Sequence, residues 1–154
     1  MAKKIEETTA TPAPAAEDLA AQIGRLESEL QALPARIADA QIALHREIDD
    51  EKLAEGFNII EMLKLKQKTL RRQILHLQVE QKQREFAEEE RLHETLPAEI
   101  EAAEVEMLGC DSITGRQLAE RKIKTLRNRF SHTIFNRSQL GAELQALRRQ
   151  EAQI

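Results

Sequence analysis

One pair of residues has the spacing of a metal site. Glu90 and His93 form an E-x-x-H series, the spacing that di-iron four-helix proteins use twice. The other histidines, His45, His76 and His132, have no Glu three residues before them, so the second half of such a site is missing. The residues around Glu90 are also too charged to line a dry cavity. We therefore predict a solvated helix face here, with no metal and no other cofactor.

The segment 109–115 holds the single cysteine, Cys110, in the sequence GCDSITG, which is typical of a turn. No Cys-His-Asn arrangement accompanies this thiol, and Ser112 and Thr114 are better explained as helix-capping residues. The sequence has no P-loop, no G-x-G-x-x-G motif and no spaced Cys/His zinc set. We therefore predict that the protein is not an enzyme and has neither catalytic residues nor a small-molecule substrate.

Two clusters of basic residues have the chemistry to contact phosphates or an acidic partner. They consist of Lys64, Lys66, Lys68, Arg71 and Arg72, and of Arg121, Lys122, Lys124, Arg127 and Arg129. The chain nevertheless has a net charge of −4 and contains no Trp or Tyr to stack on bases. Two interpretations stay open: the clusters pair with acidic residues of neighbouring helices, or they bind nucleic acid or another partner.

The composition predicts long, solvated helices. Charged residues make up 32% of the 154 residues and aromatic residues 3%, with five Gly and four Pro, so little bulky apolar mass is available to fill a thick core. No apolar run approaches the length of a membrane span. One cysteine without a partner fits a reducing compartment, and we expect a cytoplasmic protein. Residues 1–16 are polar and interrupted by proline, which predicts a flexible tail.

A heptad pattern predicts the first helix, over residues 17–55. Its apolar residues follow 4-3 spacing without a miss, which is typical of a coiled-coil seam. The seam is Leu19, Ile23, Leu26, Leu30, Leu33, Ile37, Ala40 and Leu44. The phase slips after Leu44, and Pro34 lies inside the seam. The sequence leaves open whether Pro34 kinks or breaks this helix.

Two helix-start signals divide the rest of the chain. Gly56 suits the residue just past a helix end, and Asn58 suits the next N-cap. Thr114 repeats this signal, with Gln117 three residues later as in a capping box. These signals predict a second helix over 59–108 and a third over 115–150.

The second and third helices have different apolar patterns. The second is apolar on two faces near its start, which predicts a helix between two neighbours, and Pro97 interrupts it later. Whether Pro97 kinks or breaks the helix is also left open. The third carries a heptad seam with three polar misses, Thr133, Arg137 and Glu151.

Charge alternates along the chain in blocks of about half a helix. The net charges are −6 over 17–55, +6 over 62–84, −8 over 85–106 and +5 over 107–138. If the chain reverses at Gly56, residue i lies opposite about 112 − i; a second reversal near Ser112 places it opposite about 224 − i. Both reversals bring opposite charges together. Each exposed pair contributes only ~0.2–1 kcal/mol, so charge selects the register while the apolar seams supply stability.

The sequence therefore predicts an all-α fold: an elongated, antiparallel three-helix coiled coil over 17–154. Because the outer helices overlap only partly, we expect apolar stripes without a partner, and hence a homo-oligomer. The predicted function is a non-enzymatic scaffold, adaptor or structural component that acts through oligomerisation and helix-mediated protein contacts. A phage or bacterial assembly suits this composition. The alternative is a nucleic-acid-associated helical protein that uses the two basic clusters.

Overall fold

The computed structural model describes residues 16–154, with side chains from residue 18, and this part of the chain forms three α-helices and no strand. Helix α1 spans Ala16–Arg46, α2 spans Asp50–Leu108 and α3 spans Ile113–Gln153. The prediction of an all-α, three-helix arrangement is confirmed. The predicted flexible tail, residues 1–16, lies outside the described residues apart from Ala16, which begins α1.

Helices α1 and α2 pack through heptad seams. None of the eight predicted seam residues of α1 is exposed, and Leu33 retains 1% of its accessible surface. The matching seam of α2 is also unexposed and consists of Leu53, Gly56, Ile60, Leu63, Gln67, Leu70, Ile74, Leu77 and Gln81. The ion pair between Lys66 and Glu29 shows that the two helices are antiparallel.

The first chain reversal lies at residues 47–49, so the predicted reversal at Gly56 and the helix bounds 17–55 and 59–108 are wrong. Asp49 is the N-cap of α2, and its side chain accepts hydrogen bonds from the backbone N–H groups of Glu51 (2.9 Å) and Lys52 (3.4 Å). The Glu47 carboxylate accepts from Ile48 and Asp49 within the turn. The amides of the turn are thus satisfied by acidic side chains.

Gly56 lies inside α2 because close packing requires a residue without a side chain there. A Cβ atom at Gly56 would lie 2.7 Å from Leu44 Cδ1 on the facing helix. Gly56 therefore allows α1 to approach α2, and does not end a helix. The phase slip after Leu44 in the sequence corresponds to the end of α1 at Arg46.

The second reversal falls near Ser112, as predicted. Ser112, and not Thr114, is the N-cap of α3, because its Oγ accepts a hydrogen bond of 3.0 Å from the Gly115 N–H. The predicted third-helix bounds, 115–150, are therefore short at both ends. Contacts between Lys82 and Glu143, and between Arg137 and Glu90, place residue i near 226 − i, which confirms the predicted antiparallel register.

Helices α1 and α3 cover different parts of α2. Within residues 16–154 their backbones pack against α2 and not against each other. The last residue of α3's track, Ile154, lies beside Arg72, so the first twenty residues of α2 have only α1 as a neighbour. Neither Pro34 nor Pro97 ends its helix, and each follows a leucine that is almost completely buried, Leu33 (1% exposed) and Leu96 (0%).

Candidate interaction surfaces

The seam between α2 and α3 contains a polar layer around Thr133. This threonine is 1% exposed, and its Oγ1 donates a 2.7 Å hydrogen bond to the Phe130 carbonyl oxygen of its own helix. Oγ1 also lies 3.1 Å from His93 Nδ1 on α2. The His93 ring stacks on Phe130, with ring centroids 4.8 Å apart and planes 12° from parallel. A polar residue at this seam position is therefore satisfied across the helix pair.

The other two polar misses in the α3 seam are matched in the same way. Arg137 Nη2 donates to Glu90 Oε1 at 3.4 Å, and Glu151 Oε1 lies 3.2 Å from His76 Nδ1. Each polar interruption on α3 thus meets a polar residue on α2. Because the match holds only in one alignment, these contacts specify the register as well as stabilising it.

The E-x-x-H pair of the sequence takes part in these seam contacts. Glu90 pairs with Arg137, and His93 contacts Thr133 and Phe130, so both side chains are directed to α3. Among the described residues, no group of three or more His, Cys, Asp and Glu side chains is arranged to hold a metal ion. Cys110 is half-buried in the turn, and its carbonyl oxygen accepts a hydrogen bond from Arg116 Nε.

A charge cluster links the middle of α2 to α3. Lys82 Nζ lies 2.9 Å from Glu85 Oε2 and 3.1 Å from Glu143 Oε2. Hydrogen bonds to Glu85 and then to Glu143 raise the pKa of Lys82 above its ordinary value. The hydrogen bond from Lys82 lowers the pKa of Glu143. These groups are partly exposed, so their pairing acts mainly on orientation.

Four of the ten basic residues singled out in the sequence are engaged within the chain. Lys66 pairs with Glu29, Lys122 with Glu106 and Arg127 with Glu104, while Arg72 donates to the Ile154 carbonyl oxygen. The other six form no ion pair within residues 16–154. They are Lys64, Lys68, Arg71, Arg121, Lys124 and Arg129, and all are exposed. The sequence did not identify the acidic partners individually, although the charge blocks predicted the segments that hold them.

The two basic clusters form separate patches. By the α2–α3 register, residues 121–129 lie beside residues 97–105 of α2. The centres of the clusters are then about 33 helical residues apart along α2, or about 50 Å at 1.5 Å per residue. The acidic block 85–106 lies between them. No continuous basic stripe therefore joins them along α2.

Exposed apolar side chains concentrate at the two hairpin ends. Nine large apolar side chains are buried, whereas twelve remain at least half exposed. Six of the twelve lie near the first reversal: Ile42, Ile48, Phe57, Ile59, Met62 and Leu65. Four lie near the second reversal: Val105, Leu108, Ile113 and Leu118. The apolar surface is thus grouped rather than scattered.

Helix α2 has a third face that neither α1 nor α3 covers, which we name the back face. Its residues follow 4-3 spacing over fifty residues, and none of them is buried. The back face consists of Ile59, Met62, Lys66, Thr69, Gln73, His76, Glu80, Gln83, Ala87, Glu90, Glu94, Pro97, Glu101, Glu104 and Leu108. Sequence reasoning missed this stripe because polar residues dilute its apolar signal in the middle.

Comparison of the chain with protein-family models, with curated proteins and with solved structures gives no match. Among the described residues, no helix combines the length and the hydrophobicity that a membrane span requires.

Proposed function

We propose that this chain is a non-enzymatic helical scaffold, adaptor or structural component that self-associates and binds other proteins through its helix surfaces. The observation that carries the proposal is the excess of exposed over buried large apolar side chains, twelve against nine. Single exposed apolar residues are common on protein surfaces, but groups at defined ends of a molecule are typical of interaction sites. A reducing, cytoplasmic location is part of the proposal and is supported by the lone Cys110.

The narrow shape of the molecule supports the same role. Where only two helices pack, each has one buried seam and the opposite face is solvated. Such helix pairs commonly gain further burial by adding helices from another chain. The polar pairs at Thr133, Arg137 and Glu151 fix the α2–α3 hairpin in one register, so its outer surface has a defined arrangement of side chains.

The test is the mass of the purified protein by light scattering or sedimentation over a range of concentrations. We expect a mass above the 17.6 kDa of one chain, rising with concentration. A variant with Ser at Phe57, Met62 and Leu65 should associate less. Ser at the exposed residues Asn58 and Thr69 of the same stretch is the matched control and should change nothing. A mass of one chain at every concentration would contradict self-association.

A second candidate function, nucleic-acid association, is favoured by the six exposed basic residues that lack a carboxylate partner. If several phosphates are contacted, affinity should fall steeply between about 50 and 200 mM salt. Replacing Lys64, Lys68 and Arg71 with Gln should weaken binding without affecting folding, because none of them pairs within the chain. If no DNA or RNA is retarded even at low salt, this candidate is removed.

A further inference from the structure

The back face of α2 is long enough and free enough to receive a second helix along its whole length. Its fifty residues span about 75 Å, and α1 and α3 occupy the other faces of α2. We propose that two copies of the chain pair through this face, with their α2 helices antiparallel about a twofold axis near Gln83. This inference rests on the proposed self-association and specifies its geometry.

Charge selects the antiparallel orientation. The net charge of α2 is +6 over residues 62–84 and −8 over 85–106, so its sign changes beside Gln83. An antiparallel pair centred there places the basic half of each helix against the acidic half of the other. A parallel pair would place like charges together along the whole contact, which opposes association. The point of sign change is therefore where a twofold axis must lie to make the whole contact attractive.

Individual positions also match under this symmetry. With the axis at Gln83, residue i of one copy faces residue 166 − i or 167 − i of the other. The facing pairs include Ile59 with Leu108, Met62 with Val105, and Lys66 with Glu101. All six residues are exposed in the single chain. Apolar residues meet apolar residues towards both ends, and opposite charges meet further in.

The occupant must be a second copy because the face complements itself. A twofold contact uses the same surface on both partners, so each feature on one half requires its counterpart on the other half. The exposed Met62 (71%) and Val105 (64%) lie equally far from the axis, as do Ile59 and Leu108. The middle of the face is polar, with Gln73, His76 and Gln83, so dimerisation should depend on concentration and weaken as salt screens the charges.

Disulfide cross-linking tests the geometry directly. In a Cys110→Ser background, the chain with both Met62→Cys and Val105→Cys should form a covalent dimer under mild oxidation. A disulfide requires Cα atoms about 4.4–6.8 Å apart. The matched control carries Met62→Cys alone and should remain uncross-linked, because the two copies of residue 62 would lie about 65 Å apart in the antiparallel pair.

Charge exchange provides a second measurement that does not depend on cysteine chemistry. Glu101 has no ion-pair partner in the chain, so Glu101→Lys should raise the dimer dissociation constant several-fold through repulsion by Lys66 of the other copy. Adding Lys66→Glu to Glu101→Lys should lower the constant again. Restoration by the double variant supports the facing pair, and further weakening contradicts it.

The outcomes separate this inference from the proposed function. Purified protein that remains a single chain at all concentrations overturns both. An oligomer in which Met62→Cys alone cross-links is a parallel one, and an oligomer unaffected by Glu101→Lys uses another surface. Either of these last two results overturns the antiparallel α2 contact and leaves self-association intact.

Discussion

The polar layer at Thr133 allows a sharp test of how α2 and α3 recognise each other. Thr133→Val keeps the shape of the side chain but removes the hydroxyl group that contacts His93 and the Phe130 carbonyl. Each hydrogen bond contributes ~0.5–1.5 kcal/mol net, and the added methyl group returns ~0.8 kcal/mol through apolar burial. We expect the free energy of unfolding to fall by about 1 kcal/mol, which lowers Tm by about 2–4 °C for a chain of this size.

Thr125→Val is the matched control on the same helix. Thr125 Oγ1 donates a similar bond, 3.0 Å, to the Arg121 carbonyl oxygen, but the residue is exposed and contacts no other helix. Its replacement should change stability by less than ~0.5 kcal/mol. The difference between the two variants therefore isolates the contact across the seam from the bond within α3.

The double variant His93→Leu with Thr133→Val completes the test. Removing both polar groups leaves no unpaired hydrogen-bonding atom in the seam, so this chain should be at least as stable as Thr133→Val alone. Urea unfolding followed by far-UV circular dichroism gives the measurement, at one protein concentration because association shifts apparent stability. If Thr133→Val is as benign as Thr125→Val, or if the double variant is the least stable, the polar layer does not act as described.

Two further predictions concern packing and pH. Gly24→Ala should stabilise α1 by ~0.5–1 kcal/mol, because a Cβ there meets no atom within 4 Å, whereas Gly56→Ala should lose this gain by pressing on Leu44; urea midpoints of the two variants give the comparison. The lowered pKa of Glu143 means that its contribution to stability is present above its ordinary value of 4.5 and is lost as pH falls through the folded value. The raised pKa of Lys82 means that its contribution is present below 10.5 and is lost as pH rises further. Glu143→Gln should therefore flatten the loss of stability below pH 4.5; an unchanged acid limb would show that the Lys82 pair does not contribute.

The seams and the second register could be predicted from sequence because they rest on periodicity and charge. The 4-3 spacing from Leu19 to Leu44 specifies one face of α1 whatever lies opposite it, and every one of its positions is unexposed. The charge blocks placed the α2–α3 pairing within a few residues of where Lys82 meets Glu143. Both signals act over many residues, so local exceptions such as Thr133 do not change the outcome.

The first reversal could not be located from the same kind of signal. Gly56, Asn58 and Glu61 have the sequence of a helix end and a new start, and Asp49 offers another N-cap seven residues before Gly56. Capping contributes only ~1 kcal/mol, so it cannot decide between nearby turns when packing differs by more. Leu44 packs against the space left by Gly56, and that contact exists only when the turn lies at 47–49.

The sequence by itself determined the helical class, the buried face of α1 and the antiparallel order of charge, because heptad spacing and charge blocks act in any chain that forms helices. Tertiary structure alone decided which turn forms, which polar seam residues find partners, and which face of α2 stays uncovered. Those outcomes depend on atoms from two helices meeting at contact distance. His93 beside Thr133 and Leu44 beside Gly56 are separated by 40 and 12 residues, so no local pattern contains either contact.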